Sequence, residues 1–447
     1  MKSIYQSLLL TIGALALAGT TVAQVPATND TSDAGGNTGM GKNALSGLSS
    51  GTFNTASGQN ALQNNSMGIY NTASGYDALN SNTQGNNNTA SGEGALQSNL
   101  TGDDNTAFEA GALKANTGNG NTATGYNALT ANMDGASNTA SGYYVLQANT
   151  TGTNNTASGV VALFHNVNGS GNTAFGGAAL YSNVGGGNNT ASGYEALYST
   201  TTGSYNSACG ANALYKNTTG TQNTASGYQA MYVNKTGGGN TATGLDALYR
   251  NTDGHYNIAE GYKAGFNLTT GSYNIDIGHQ GMAAESGVIR VGTSGQQTQT
   301  FIAGINNATV TGAGVVVDPS TGQLGILSSS ERYKTAITPI GRNTEKLQQL
   351  RPVSFHLKTD PTGAIQYGLI AEEVDKVYPE LVIRDASGKI QGVRYDELAP
   401  MLLNELQKQQ RASTAQAEQL RDVQRQLAVM QGALATLKTK HQLVAQR

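Results

Sequence analysis

The chain has 447 residues, with 59 Gly, 7 Pro and no Trp, a balance unlike that of a single globular enzyme core. Its formal charge of −3 gives no basic field for nucleic acid, and its one cysteine, Cys209, excludes an intrachain disulfide framework. The charges are unevenly placed: residues 1–330 hold 8 Lys+Arg and 15 Asp+Glu, and residues 331–447 hold the other 17 and 13. Two physically different objects are joined near residue 330.

In chain order, Lys2 precedes an apolar run from Leu8 to Ala18, and the small residues around Thr21-Val22-Ala23 follow. This pattern predicts a secretory signal peptide over 1–23, with Gln24 opening an exported chain, secreted or held at the cell surface. The run is short for a membrane span, and no later stretch is apolar enough for one, so no span is expected after signal removal. Residues 24–36 are small and polar and read as a flexible leader.

From 37 to 283 a unit close to NTASGYxALxxNTTGxx recurs fifteen times, every 17 residues except for one step of 16, Asn105 to Asn121. So strict a period predicts a stacked solenoid and argues against low-complexity disorder. Gly at the fifth position, replaced only by Glu109, predicts a corner at positive φ or a tight backbone approach. Leu at the ninth, as in Leu62, Leu79 and Leu96, predicts a continuous apolar seam, and the recurring Asn predicts ladders along the axis. Fifteen coils at the β spacing give a rod on the order of 70 Å. One Leu and one or two Ala per coil make a thin core, so the expectation is that three chains share it. Cys209 stands where most units have Ser and reads as a small core residue. His165, His255 and His279 fall at unrelated repeat positions and read as incidental surface residues.

No cofactor or metal is expected in the repeat. Its Gly-rich turns lack the Lys of a phosphate loop, and Asp is too sparse for repeated calcium loops. A Thr ladder facing solvent suggests a cell-surface or polysaccharide ligand, or ice. The block resembles the heads of trimeric autotransporter adhesins and the Asn-Thr-Ala-Gly repeats of tail-fibre-like proteins. That resemblance implies a trimeric β-roll architecture, not a register.

Residues 284–328 break the period. Short β-branched runs at Val288–Gly292, Thr300–Ile305 and Val315–Asp318 predict a neck of β-hairpins. Residues 329–400 are mixed. A short helix is expected over Thr344–Leu350 and a strand over Val353–Leu357. A strand at Tyr367–Ile370 enters a helix, Glu372–Val377, that stops before Pro379. Further strands at Leu381–Ile383 and Gly392–Tyr395 flank a turn at Asp385. Over 401–447, helical from Leu402, Leu420, Val423, Leu427, Met430, Leu434 and Leu437 step 3-4-3-4-3, the seam of a coiled coil that needs partner helices. Gln409, Ser413 and Gln416 make a polar break upstream. The fold class expected is mainly β: a 17-residue-repeat solenoid or roll, trimeric, followed by a small α/β domain ending in a coiled coil.

SSERYK (329–334), FHLK, YGLIAEEVDKVYPELV and VRYDELAPMLLNEL, in that order, resemble the intramolecular chaperone domain at the C-terminus of phage endosialidases, tailspikes and tail fibres. The resemblance implies a homotrimer whose terminal domain helps an upstream β-stalk fold and then releases itself by autoproteolysis. It implies Ser329 as nucleophile, Lys334 as base, and cleavage between Ser329 and Ser330, with Glu331 and Arg332 in support. Ser330 stands where phage members usually carry Asp, and Tyr333 where Leu is common. A serine hydroxyl needs a neighbour to take its proton, and a lysine can do so only when neutral. His356 and the pair Glu372 and Glu373 read as structural. The functional expectation is a single-turnover autocatalytic serine endopeptidase on an exported fibrous appendage. The alternatives are a non-cleaving adhesin or glycan binder with a C-terminal trimerisation knob, and, below it, a glycan hydrolase. A membrane-bound transcriptional regulator is disfavoured by the signal peptide and the absence of a basic region.

Overall fold

The computed structural model describes residues 32–302, 314–318, 321–326, 328–385 and 387–445. The signal peptide, most of the leader and positions 303–305 of the neck lie outside these residues. One compact unit ends at Thr300 and a second begins at Phe301.

The first unit is a β-solenoid. Sixteen three-residue strands, from β1 (Thr38–Met40) to β16 (Ile289–Val291), form one parallel sheet in which each strand pairs only with its sequence neighbours. The unit starting at Asn71 shows how the residues build a coil. In β3 (Thr72–Ser74), Ala73 points inward and Thr72 and Ser74 face solvent, as the two-residue period of a strand requires. Thr72 pairs with Thr89 of β4 (Thr89–Ser91), one repeat on. Gly75 then turns the corner at φ 137°, and a Cβ there would sit 2.5 Å from the Gly92 carbonyl oxygen of the next coil. Both expected reasons for glycine hold at once. Asp77 and Leu79 follow in the left-handed region at φ 56° and 49°. Each such residue costs roughly 1–2 kcal/mol, and burying a leucine returns about 1.5–3 kcal/mol. The two left-handed residues together cost about what one buried leucine returns, so the turn is held jointly by the leucine seam and the buried alanines beside it.

Two asparagine ladders line the interior. Asn71 Nδ2 donates to Asn54 Oδ1 at 3.1 Å and to the Gly85 carbonyl at 2.8 Å. Asn82 Nδ2 donates to Asn65 Oδ1 at 2.7 Å and to the same Gly85 carbonyl at 2.9 Å. A Cβ on Gly85 would lie 2.4 Å from Asn82 Oδ1, so only glycine fits between the ladders.

Three expectations are corrected here. The leucine seam is sealed within one chain, with Leu62 through Leu214 at 0% exposure, because Ala and Asn at four other positions close the lumen around it. A shared core is not needed to cover it. Cys209 is exposed, since the fourth position of the unit points away from the lumen. Finally, the run at 289–291 is not a hairpin: β16 joins the parallel sheet beside β15 (Ile275–Ile277).

The second unit has a small core of Val374, Tyr378, Leu381, Val382 and Val393. The unit also contains three antiparallel hairpins, the last of which contributes to this core. They are β17 (Val315–Val317) with β18 (Leu324–Ile326), β19 (Val353–Phe355) with β20 (Gln366–Gly368), and β21 (Val382–Arg384) with β22 (Ile390–Val393). Helix α1 (Ala371–Val377) ends before Pro379 as expected. The helix expected at 344–350 is instead two 3-10 turns, Gly341–Thr344 and Leu347–Gln349. Helix α2 runs from Tyr395, seven residues before the expected start, to Val444, 50 residues and about 75 Å. Its base is tied to the first of those turns: Asn404 Nδ2 and Lys408 Nζ donate to the buried Thr344 Oγ1 at 2.7 and 3.1 Å. No helix among the described residues is long and apolar enough to cross a membrane.

Candidate active site

The joint is built by a 3-10 turn, Glu331–Tyr333, capped by Ser330. Ser330 is extended at φ −69°, and its Oγ accepts from the Arg332 backbone N–H at 3.4 Å. Tyr333 N–H donates to the Ser330 carbonyl at 3.0 Å and Lys334 N–H to that of Glu331 at 3.1 Å. One tight turn thus returns the chain on itself. Lys334 Nζ donates to Ser329 Oγ at 3.1 Å, within the reach a general base needs. A serine and a lysine five residues apart would be well separated on an extended chain, and the turn is what joins them.

The Arg332 side chain turns to Ser330, its Nε 3.3 Å from Oγ, and its guanidinium lies 5.5 Å from the Tyr333 ring centroid. It thereby steadies the cap. Ser329, Glu331 and Lys334 are exposed in the single chain.

The other candidates are structural. His356 Nδ1 lies 3.0 Å from the Gly363 carbonyl. In the first turn of α1, Glu373 binds Arg351, whose Nε donates at 3.1 Å, and the hydrogen bonds from that guanidinium hold its carboxyl below the usual range. In the shaft, His165 packs edge-on against Phe164 and Tyr181, and His255 Nδ1 accepts the Gly238 N–H at 2.9 Å. Among the described residues no cluster of three or more His, Cys, Asp or Glu could hold a metal ion.

Two features escaped the sequence reading. The first is a column of rings at the tenth repeat position: Phe164, Tyr181, Tyr198, Tyr215, Tyr232, Tyr249 and Phe266. They stack at 5.1–5.4 Å between centroids along the shaft and are half-buried. Aromatic identity at that position in seven consecutive units was the available signal. The second is Asp276, which stands at an inward position that is Ala in the preceding units, next to a part-buried His279.

Residues 329–383 match the family model of a peptidase family described as the chaperone of endosialidase. The match begins at Ser329, at the foot of the turn, and follows the solenoid in the chain. Among curated proteins none matches this chain.

Proposed function

We propose that this chain is an exported fibrous surface or appendage protein whose C-terminal unit assembles three copies and then cuts itself free at Ser329. The observation that carries the reading is the 3.1 Å approach of Lys334 Nζ to Ser329 Oγ at the first residue of the matched segment. Support for assembly comes from α2, whose seam residues Leu420, Val423, Leu427, Met430, Leu434 and Leu437 are 50–63% exposed. A 3-4 spaced apolar stripe on a helix this long is stable once partner helices cover it.

The chemistry follows from that coupling. A lysine becomes a base when neighbours desolvate it, and the single chain leaves Lys334 exposed. Chains packed about the joint would exclude water from it, so cutting follows assembly. Lys334 then takes the Ser329 proton, the oxygen attacks the carbonyl carbon of the Ser329–Ser330 bond, the C–N bond breaks as the proton passes to the Ser330 amine, and a water hydrolyses the resulting ester to leave a carboxylate at residue 329. Once the tail is gone the assembled shafts cannot retrace their path, and their stability becomes kinetic. On a denaturing gel the wild type should give two bands, one matching residues 330–447, and Ser329→Ala should give one. A single full-length band in both proteins would exclude the cut, and two bands in both would exclude Ser329 as its nucleophile.

A second reading, a non-cleaving adhesin or glycan binder with the C-terminal unit serving as a trimerisation knob, draws support from the ring column. The ring faces are used in stacking, so the edges and phenol hydroxyls remain for an oxygen-rich partner such as a polysaccharide. An uncut trimer that binds glycan polymers and loses them on Tyr215→Phe would favour it.

A further inference from the structure

The fifteenth coil breaks the repeat in its interior. The third position is Ala from Ala56 to Ala259, and in β15 it is Asp276, 1% exposed. Its register partners are Ala259 on β14 (Ile258–Glu260) and Arg290 on β16. The carboxyl is wedged between glycines: a Cβ on Gly281 would sit 2.8 Å from Oδ2, and one on Gly265 3.4 Å. Neither oxygen accepts a hydrogen bond among the described residues.

The charged neighbours are accounted for. His279 Nδ1 is 3.6 Å from Oδ1, but that nitrogen already accepts the Gly281 N–H at 2.8 Å. Its lone pair is engaged, and it has no proton to offer Asp276. Arg290 is held by Glu285, with Nη2 to Oε2 at 2.8 Å and Nε to Oε1 at 3.2 Å. From coil fourteen, Glu260 is exposed on the outer face of its strand, and Gly265 and Leu268 bring no charge. A carboxylate without hydrogen bonds in such a place is costly, whereas a carboxylic acid is tolerated.

We propose that Asp276 is a proton-operated latch on the C-terminal end of the shaft: as a carboxylic acid it lets coil fifteen close on coil fourteen, and its ionisation opens residues 274–291. The latch is independent of whether the joint is cut. Burial pushes the Asp276 carboxyl up to about 6 from an ordinary 3.8, with Glu285 adding to the rise and Arg290 opposing it. The closed coil therefore holds its proton more tightly than the open one. Closure is fullest below about pH 4 and is lost as the pH rises through about 6. His279 works in the opposite sense. Burial, then Arg290, hold it below its ordinary 6.5, so its own contribution favours closure as the pH rises toward that value. Burial pulls the Glu285 carboxyl up, but the Arg290 hydrogen bonds outweigh that pull and hold it below its usual range.

The test is hydrogen exchange on the full-length protein between pH 4 and pH 7, corrected for intrinsic rates. Protection of residues 274–291 is read as a ratio to that of an internal coil, residues 189–205. In the wild type that ratio should fall on the order of tens-fold as the pH rises. In Asp276→Asn, which keeps the shape without the charge, and in Asp276→Ala, which restores the residue of the neighbouring coils, the fall should vanish, leaving only the rise with pH that His279 contributes. A flat wild-type ratio, or the wild-type fall retained in Asp276→Asn, would overturn the proposal.

Discussion

The two units solve the problem of burying leucine in opposite ways. In the shaft every coil closes on the next, and the seam of Leu62, Leu79 and their successors is sealed inside one chain. In α2 the leucines are spaced just as regularly, yet they stand in solvent. The shaft thus seals its core within a single chain, and on the proposed function the C-terminal unit is the part that needs partners. Assembly as proposed would bring shafts together at one end, not supply their core.

The largest effect expected is at the joint. Lys334→Ala should slow release of residues 330–447 by at least about a hundred-fold, as removal of a general base does, while still yielding a three-chain particle that keeps its tails. If the fragment still forms at the wild-type rate, the Ser329–Lys334 contact is not catalytic.

The next test exchanges leucines between the regions. Leu180→Ala removes a fully buried side chain from a lumen that cannot collapse, and should cost about 2–5 kcal/mol in denaturant unfolding of the shaft. Leu427→Lys should leave shaft unfolding unchanged and yield single chains in sedimentation. Should Leu427→Lys weaken the shaft as much as Leu180→Ala, the division of labour is wrong.

The units should also differ in the sign of their response to acid. Coil fifteen is tightest in acid through Asp276, but the turn between β21 and β22 is loosest there. The Ser387 hydroxyl, the Lys389 backbone N–H and the Gln391 amide hold the Asp385 carboxyl at about 2. That turn's contribution is present above about pH 4 and lost as the pH falls through about 2. Proton-dependent exchange at Gly388 and Lys389 would read it, and an increase in protection on acidification would contradict it.

The smallest effect lies in the one irregular coil. Glu109 occupies the glycine corner at φ 86°, in the 16-residue unit where Asn121 Nδ2 donates to Asn116 Oδ1 in place of the usual ladder partner. Glu109→Gly should stabilise the shaft by about 1 kcal/mol, read as a shift of the denaturant midpoint. No shift would mean that the neighbouring deletion sets the strain.

Much of this was legible in the residues. A strict period with Gly at five and Leu at nine announces stacked coils, and SSERYK begins the matched segment at 329. The inside of the coil was harder to read. A count of large side chains per unit gives one leucine, but the lumen is filled by paired amides such as Asn71 and Asn82, and counting hydrophobes misses them. Cys209 misled because small residues at adjacent strand positions look alike although alternate ones face opposite ways. The meeting of Ser329 and Lys334 depends on a 3-10 turn that spacing alone does not specify.

The central claim, that the C-terminal unit joins chains that are otherwise complete, is tested most directly by sedimentation combined with intact mass on the purified full-length product. The account predicts a three-chain particle whose shafts end at Ser329. A single uncut chain, stable and soluble with its α2 seam uncovered, would contradict it.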